Sequence, residues 1–403
     1  MEKANKNTHL NHLEDNVFLG GIDGTRDSID FLRKFRDLLQ GRSKQAVNTS
    51  VKWDGAPAIW MGHLPKDGRF FVAKKSLFNK VPIYYTSERQ INQSDLSNEL
   101  KEKFLLAFNM YKDVEFNNIL QGDFLFTNKM LKTVRIDGKP YVTFHPNTIA
   151  YSVPADSELA GKLMKMKMGI VFHTTYNGSS ISNLSASAGV KLPRAPEGVW
   201  QIDADYKDMQ GSASMTATET KKIDRAMSNL GTHFRMVSKE TMDILNDPVI
   251  AVFCTTYTNA FIRARKTPTP EEAAAGLGQF IMEKFKVKID KLKTPAGKKR
   301  QMDALGAIIK PLSAIPAHEL VSVFHLYYGL QEVKNIIIKK LSSSGFVKTF
   351  LKTKDGWEVT GQEGYVATDS LGKNSVKLVD RLEFSYANFN KDVIKGWEAD
   401  YRS

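Results

Sequence analysis

After a first helical stretch, apolar positions along the chain are mostly strand-like to about residue 176, helical from 216 to 341 and strand-like again beyond. Ile29, Leu32, Phe35, Leu38 and Leu39 follow helical spacing, with Asp27 placed to cap the helix and Gly41 to stop it. Strand patterns then take over at Val47 to Trp53, Ala58 to Met61 and Arg69 to Lys74, the last two joined by a turn at Pro65 to Gly68. Leu100 to Tyr111 reads as a helix and Asn118 to Phe126 as a buried strand. A hairpin turning at Asp137-Gly138 joins Thr133–Ile136 to Tyr141–Phe144, and further strands are expected at Thr148 to Val153 and Met168 to His173. Asn177 to Gly211 is rich in Ser, Gly, Ala and Pro and reads as loop.

From Thr216 to Leu341 the pattern is helical, with segments at Ile223 to Leu230, Lys239 to Leu245, Pro270 to Phe285 and Glu319 to Leu341. Past Ser342 strands return at Phe346 to Lys352, Trp357 to Val359, Tyr365 to Thr368 and Val376 to Val379. A short helix is expected to close the chain from Asn388 to Trp397. The simplest architecture is α+β: a mixed, largely antiparallel sheet domain drawn from both ends of the chain, with a large all-α domain inserted. The expected boundaries are 1–176 for the first part of the sheet domain, 177–215 for a linker, 216–342 for the helices and 343–403 for the return.

A length of 403 residues and 42% hydrophobic content suffice for two or three cored domains. No stretch approaches the roughly 18 apolar residues of a membrane span, and the polar start lacks a signal peptide's apolar centre, so the expected compartment is the cytoplasm. Cys254 stands alone in an apolar run, which excludes a disulfide framework and reads as core. The formal charge of +13 biases the protein toward polyanions. Lys284, Lys286, Lys288, Lys291, Lys293, Lys298, Lys299 and Arg300 crowd one segment, with Arg263, Arg265 and Lys266 before it. They make nucleic acid, RNA or DNA, the expected partner.

The candidate chemistry begins at Val51-Lys52-Trp53-Asp54-Gly55, where a strand-like run breaks at a glycine and offers one lysine beside a carboxylate. A lysine attacks only as the free amine, which desolvation or nearby positive charge favours. Val51, Trp53, Ala56, Pro57 and Ala58 can supply apolar surroundings, and Lys74 and Lys75 like charge. Asp54 opposes both unless it faces a metal or a leaving group. His145 and His173, on or beside apolar strands, read as core or rim histidines, since no second ligand stands at a zinc-like spacing.

Further along come Gln121-Gly122-Asp123-Phe124, then Gly361-Gln362-Glu363-Gly364-Tyr365, then Ser375-Val376-Lys377-Leu378. In this order the motifs resemble those of the covalent nucleotidyltransferase superfamily of polynucleotide ligases and messenger-RNA capping enzymes. Lys52 stands in motif I, Gly122-Asp123 in motif III, Glu363-Gly364 in motif IV and Lys377 in motif V, with Gly169–Phe172, ahead of the alternative Ile149-Ala150-Tyr151, as the aromatic strand between III and IV. The likeness covers most of 45–175 and 346–382.

The resemblance implies an ATP-grasp-like ligase fold for the sheet domain. It also implies attack by Lys52 on the α-phosphate of ATP, with GTP as the alternative donor, and transfer of the lysyl-nucleotide to a polynucleotide end. Asp54 would join Lys52 in catalysis. Val51 and Gly55 would line the nucleotide, Lys377 and Lys75 would contact the α-phosphate, and Asp123 would accept from the ribose hydroxyls. Phe172 would stack on the base, and Glu363 would help hold Mg²⁺. A phage-encoded repair ligase, in the host cytoplasm, offers a natural setting.

Three departures stand out. The family's arginine after motif I is replaced by Ala56-Pro57-Ala58. Val379 fills the second lysine position of motif V, with Arg381 the nearest substitute. About two dozen residues follow motif V, too few for an OB-fold. These gaps keep two alternatives in view: a capping-type or protein-modifying nucleotidyltransferase, and an inactive nucleic-acid-binding relative.

Overall fold

Strands from both ends of the chain meet in the same sheets. The computed structural model describes residues 12–40, 48–205, 215–342, 347–368 and 375–398. Gly41, Val47, 206–214 and 343–346, where several expected boundaries fall, lie outside the described residues. The strands before the helical region are β1 (Asn48–Lys52), β2 (Ala58–His63), β3 (Phe70–Ala73), β4 (Ile119–Thr127), β5 (Lys132–Ile136), β6 (Lys139–Phe144), β7 (Ile149–Pro154), β8 (Met168–Asn177), β9 (Ser185–Ala188) and β10 (Val199–Asp203). Those after it are β11 (Lys348–Thr353), β12 (Gly356–Val359), β13 (Gly364–Thr368) and β14 (Ser375–Leu378).

One sheet has the order β10-β8-β4-β2-β3, with β9 also on β8, and a second has the order β12-β11-β7-β6-β5. The third is β1-β13-β14. Pairing is antiparallel between the described strands except for β8 with β10. The return of the chain is visible in two ladders, β11 on β7 and β13 on β1. The stretch expected to be a linker is therefore partly sheet. β9 and β10 sit there because β8 runs on to Asn177 and leaves an edge that Ser185–Ala188 and Val199–Asp203 can pair.

The helices are α1 (Asn16–Leu19), α2 (Gly21–Leu39), α3 (Glu88–Asn92), α4 (Asn98–Tyr111), α5 (Glu158–Leu163), α6 (Ala217–Met236), α7 (Lys239–Leu245), α8 (Pro248–Arg263), α9 (Pro270–Asp290), α10 (Pro295–Ala314), α11 (Ala317–Ser342) and α12 (Arg381–Phe389). Local chemistry sets many of their starts. Thr216 with Glu219 and Thr269 with Glu272 form capping boxes for α6 and α9, and Pro248, Pro270 and Pro295 occupy first-turn positions. Asp27, expected as a cap, lies inside α2, which starts six residues earlier at Gly21. The closing helix also starts earlier than Asn388: the Asp380 carboxylate accepts from the N–H groups of Leu382 and Glu383 and begins α12 there.

Packing redraws one boundary. Leu13, Val17 and Phe18, with Ile29, Leu32, Phe35 and Leu39 of α2, share a buried cluster with α6 to α11. Residues 12–40 thus belong with the helices rather than the sheets, because the apolar stripe of α2 finds its partner surface on α6 and α11. Cys254 is fully buried in the same cluster, as expected, and burial pushes its thiol up to about 12.

A buried ionic knot ties this cluster to the returning strands. Lys334 on α11 donates to both carboxylate oxygens of Glu14 at 2.7 Å. Arg381, at the start of α12, donates to Asp15 at 2.7 Å, to the Tyr327 hydroxyl at 2.9 Å and to Asn259 at 2.5 Å. Burial works against the charged form of Glu14, yet Lys334 and Arg381 outweigh it and hold the carboxyl below its usual range. Arg381 is thereby committed to the core and does not stand in for a second motif V lysine.

Candidate functional site

β1 ends at Lys52 and runs antiparallel to β13, so Lys52 lies across from Gly364 and beside Glu363. The Lys52 ammonium is ion-paired with the Glu363 carboxylate. The lysine side chain is 32% exposed and the glutamate 9%, so the pair is open to solvent from the lysine side. β14 pairs with the other edge of β13 and sets Lys377 opposite Val366, its ammonium 5.5 Å from the centre of the Phe384 ring. The three groups feel one another. Burial, against the opposing pull of Lys52, raises the affinity of Glu363 for a proton, and burial together with the charge of Lys52 lowers that of Lys377.

Close backbone approach is built in at two glycines. A Cβ at Gly55 would lie 2.6 Å from the Asp123 Cβ, and one at Gly364 would lie 2.5 Å from the Leu378 carbonyl oxygen. Gly55 therefore presses the loop after Lys52 against β4, and Gly364 lets β13 and β14 close around the ion pair. The Val51 N–H donates to the Ala204 carbonyl at 2.6 Å, joining β1 to the end of β10.

Several site residues expected from the sequence lie elsewhere or do other work. Asp54 is buried, and its carboxylate accepts from the Asn147 amide at 2.7 Å and from the backbone N–H groups of Thr148 and Ile149 at 2.7 and 2.8 Å. Its own N–H donates to the Tyr151 hydroxyl at 2.6 Å. With both oxygens occupied, Asp54 holds the start of β7 against the Lys52 loop and is not placed for catalysis. Phe172 is fully buried between the sheet and α4, edge-on to Tyr111 with ring centres 6.1 Å apart. It has no free face for a base. Lys75 is exposed on the turn after β3, and among the described residues no hydrogen bond or ion pair ties it to Lys52, Glu363 or Lys377. Ala73 pairs with Trp60 and Ala58 with Asp123, so Lys75 nevertheless stands at the Asp123 end of its sheet.

Asp123 lies against Gly55, just after the Lys52 strand, and His173 joins it: the ring Nε2 is 3.7 Å from the Asp123 carboxylate and Nδ1 is 2.7 Å from the Thr174 hydroxyl. His173 is the rim histidine of the sequence reading, whereas His145 is buried against the Thr148 carbonyl, and burial lowers it to about 4. Lys103 was missed. It extends from α4 to within 3.4 Å of the Ala56 carbonyl, next to Gly55, with Glu99 as its ion-pair partner. Its spacing with Ala107 and Tyr111 on the buried face of α4 was the available signal.

A hollow of about 320 Å³, including space open to solvent, lies next to the ion pair between Asp54, Thr360 to Glu363 and Phe384 of α12. Among the described residues no group of three or more His, Cys, Asp or Glu side chains can hold a metal by itself. Glu363 is the carboxylate that would hold Mg²⁺ here, and the ion would need its further oxygen ligands from water or a bound molecule.

A profile described as a family of unknown function, DUF6267, matches residues 7–393. The chain belongs to the DUF6267 family. No curated protein and no solved structure matches it. The DUF6267 match takes in both ends of the split site, Lys52 with Asp123 and Glu363 with Lys377, and the helices between them.

Proposed function

We propose that this DUF6267 chain is a ligase-like nucleotidyltransferase that forms a covalent lysyl-nucleotide, lysyl-AMP, at Lys52 and passes it to a polynucleotide end. The observation that carries the reading is the meeting of Lys52, Glu363 and Lys377 on the β1-β13-β14 sheet, from positions more than three hundred residues apart in sequence. An ion pair alone would be ordinary. A lysine with a buried carboxylate on one side and a second, partly buried lysine beyond it is what in-line attack on a phosphate requires.

In the proposed step Lys52 first gives its ammonium proton to solvent. The free amine attacks the α-phosphorus of ATP, a nitrogen–phosphorus bond forms, the bond from that phosphorus to the bridging oxygen breaks, and pyrophosphate leaves. The nitrogen's second proton goes to water. Glu363 orients the amine through one oxygen, Lys377 offsets charge on the α-phosphate oxygens, and Asp123 accepts from the ribose. Glu363 would help hold Mg²⁺, which would supply charge neutralisation for the leaving group.

Incubation with α-³²P-labelled ATP or GTP and Mg²⁺, followed by a denaturing gel, tests the reading. A labelled band is expected that survives denaturation and is lost in Lys52→Ala. No band with either nucleotide would leave the binding-protein alternative in its place. Sealing of nicked duplexes or single-strand ends separates ligase from capping-type transfer.

A further inference from the structure

The basic segment that reads as one run in sequence is divided in space. α8 and α9 lie antiparallel, with Phe253 against Phe285 at 5.7 Å and Tyr257 against Phe280 at 5.0 Å between ring centres. The last turns of α9 therefore lie beside the start of α8, and the Lys288 ammonium sits 5.8 Å from the Phe253 ring centre. Arg263, Arg265 and Lys266 stand at the other end of α8, where the Arg265 guanidinium lies 4.2 Å over the ring of Tyr386 on α12. From Phe253 to Arg265 is about 18 Å along the helix at 1.5 Å per residue. One basic cluster is thus a distal tip, and the other is a corner beside the element that borders the Lys52 site.

The tip is made of the end of α9, the connection at 291–294 and the first turns of α10. It carries Lys284, Lys286, Lys288, Lys291, Lys293, Lys298, Lys299 and Arg300 against one acid, Asp290. All eight cations are exposed apart from the half-buried Lys298, and among the described residues none is in an ion pair. Helix stability accounts for Lys288 in the last turn of α9 but not for Lys298, Lys299 and Arg300: the first turn of α10 holds no acidic residue, and cations there oppose the helix dipole. The tip's own aromatic residue, Phe285, is 4% exposed, and the half-buried Phe253 beside it has the Lys288 ammonium over its ring, so no bare ring is offered to a base. Single-strand binding relies on such rings, whereas a duplex offers phosphates alone along its backbone.

We infer that the α9–α10 tip grips the phosphate backbone of double-stranded nucleic acid without reading its sequence, and that the Arg263–Lys266 corner is a second contact on the path to Lys52. The nearer side of the tip is offset from the corner by about five base pairs of duplex rise, within the reach of one duplex. Only the use made of the bound duplex rests on the lysyl-nucleotide reading.

The test is fluorescence anisotropy of a labelled, mixed-sequence DNA duplex of about 24 base pairs with the full chain and no nucleotide, from about 50 to 200 mM salt. Lys298→Ala/Lys299→Ala/Arg300→Ala is expected to lower the slope of log Kd against log salt by two to three and to weaken binding at least about tenfold. Lys284→Ala/Lys286→Ala/Lys288→Ala, an independent deletion on the same tip, is expected to do the same. Lys132→Ala/Arg135→Ala/Lys139→Ala, an equal loss of charge on the β5–β6 hairpin, is expected to leave the slope alone. An unchanged slope in both tip variants, or tighter binding of a single strand of equal length, would overturn the inference. Because binding is read without nucleotide, a missing lysyl adduct beside tip-dependent binding counts only against the catalytic reading, and the converse result only against the interface.

Discussion

Two carboxylates near Lys52 differ in what their oxygens are free to do. Asp54 is saturated by Asn147, Thr148 and Ile149, so Asp54→Asn turns one acceptor into a donor facing an N–H and is expected to cost about 2–3 kcal/mol. Urea denaturation would show this as a lower midpoint at unchanged slope. Among the described residues Glu363 is ion-paired with Lys52 alone. Glu363→Gln is expected to cut lysyl-nucleotide formation at least about a hundredfold, and retention of label within a few-fold of the parent would remove Glu363 from the mechanism. The same groups shape the pH profile. Burial raises the Glu363 carboxyl above its usual 4.5, so labelling should fail on the acid side while an ordinary carboxylate is still charged. Burial lowers Lys377 from 10.5, so its phosphate contact should fade on the alkaline side before that value. A profile unchanged at both limits would remove these two groups from the labelling step.

At the scale of elements, the ion pair of Glu14 with Lys334 fastens the segment before α1 to α11, and Arg381 fastens α12 to both. Both members of the Glu14–Lys334 pair are fully buried. Lys334→Met alone would strand the Glu14 charge and is expected to cost about 3–5 kcal/mol, whereas Glu14→Leu with Lys334→Met should recover most of that loss. A double-mutant cycle on the unfolding free energy measures it. If the double variant is no better than the single, the charges matter for more than their mutual compensation. β14 lies next to this knot, through an isolated backbone bridge from His12 to Lys377, so the strand carrying Lys377 is braced by the helical layer.

For the whole molecule, the half-buried His12 and the buried His145 contribute to the response to acid. Burial, reinforced by Arg381, lowers His12 to about 3, and burial lowers His145 to about 4. Between those values and 6.5 the unfolded chain takes up protons that the folded chain refuses, so stability falls as pH falls through that window. Each histidine contributes about 1.4 kcal/mol per pH unit, or up to about 4 kcal/mol for the two between pH 6.5 and 5. Denaturation midpoints at pH 7 and pH 5 should differ accordingly, and His145→Gln should flatten the dependence. Below 4.5 the loss deepens, because Glu14 holds its charge in the fold to lower pH than in the open chain.

Periodicity alone located most of the elements, because an apolar stripe with period two or 3.6 is a local property. The hairpin at Asp137-Gly138, the helix Lys239–Leu245 and the four returning strands were legible to within a residue or two. So was the pairing of chemistry: a lysine before Asp-Gly, a glutamate before a glycine that opens a strand, a lysine within a strand. What no local pattern carried was which surface each element meets. α2 has a stripe that would fit a sheet or a helix, and only the packed structure assigns it to α6 and α11. Asp54 and Glu363 are equally plausible carboxylates in sequence, and they part ways because the backbone N–H groups at the start of β7 reach one of them and not the other. β9 and β10 needed a free edge on β8 before Ser-rich and Pro-rich sequence could become strand. The order of the motifs was thus a property of the chain, and their convergence was decided by long-range ladders, β1 with β13 and β13 with β14, whose partners are distant in sequence and have no local signal.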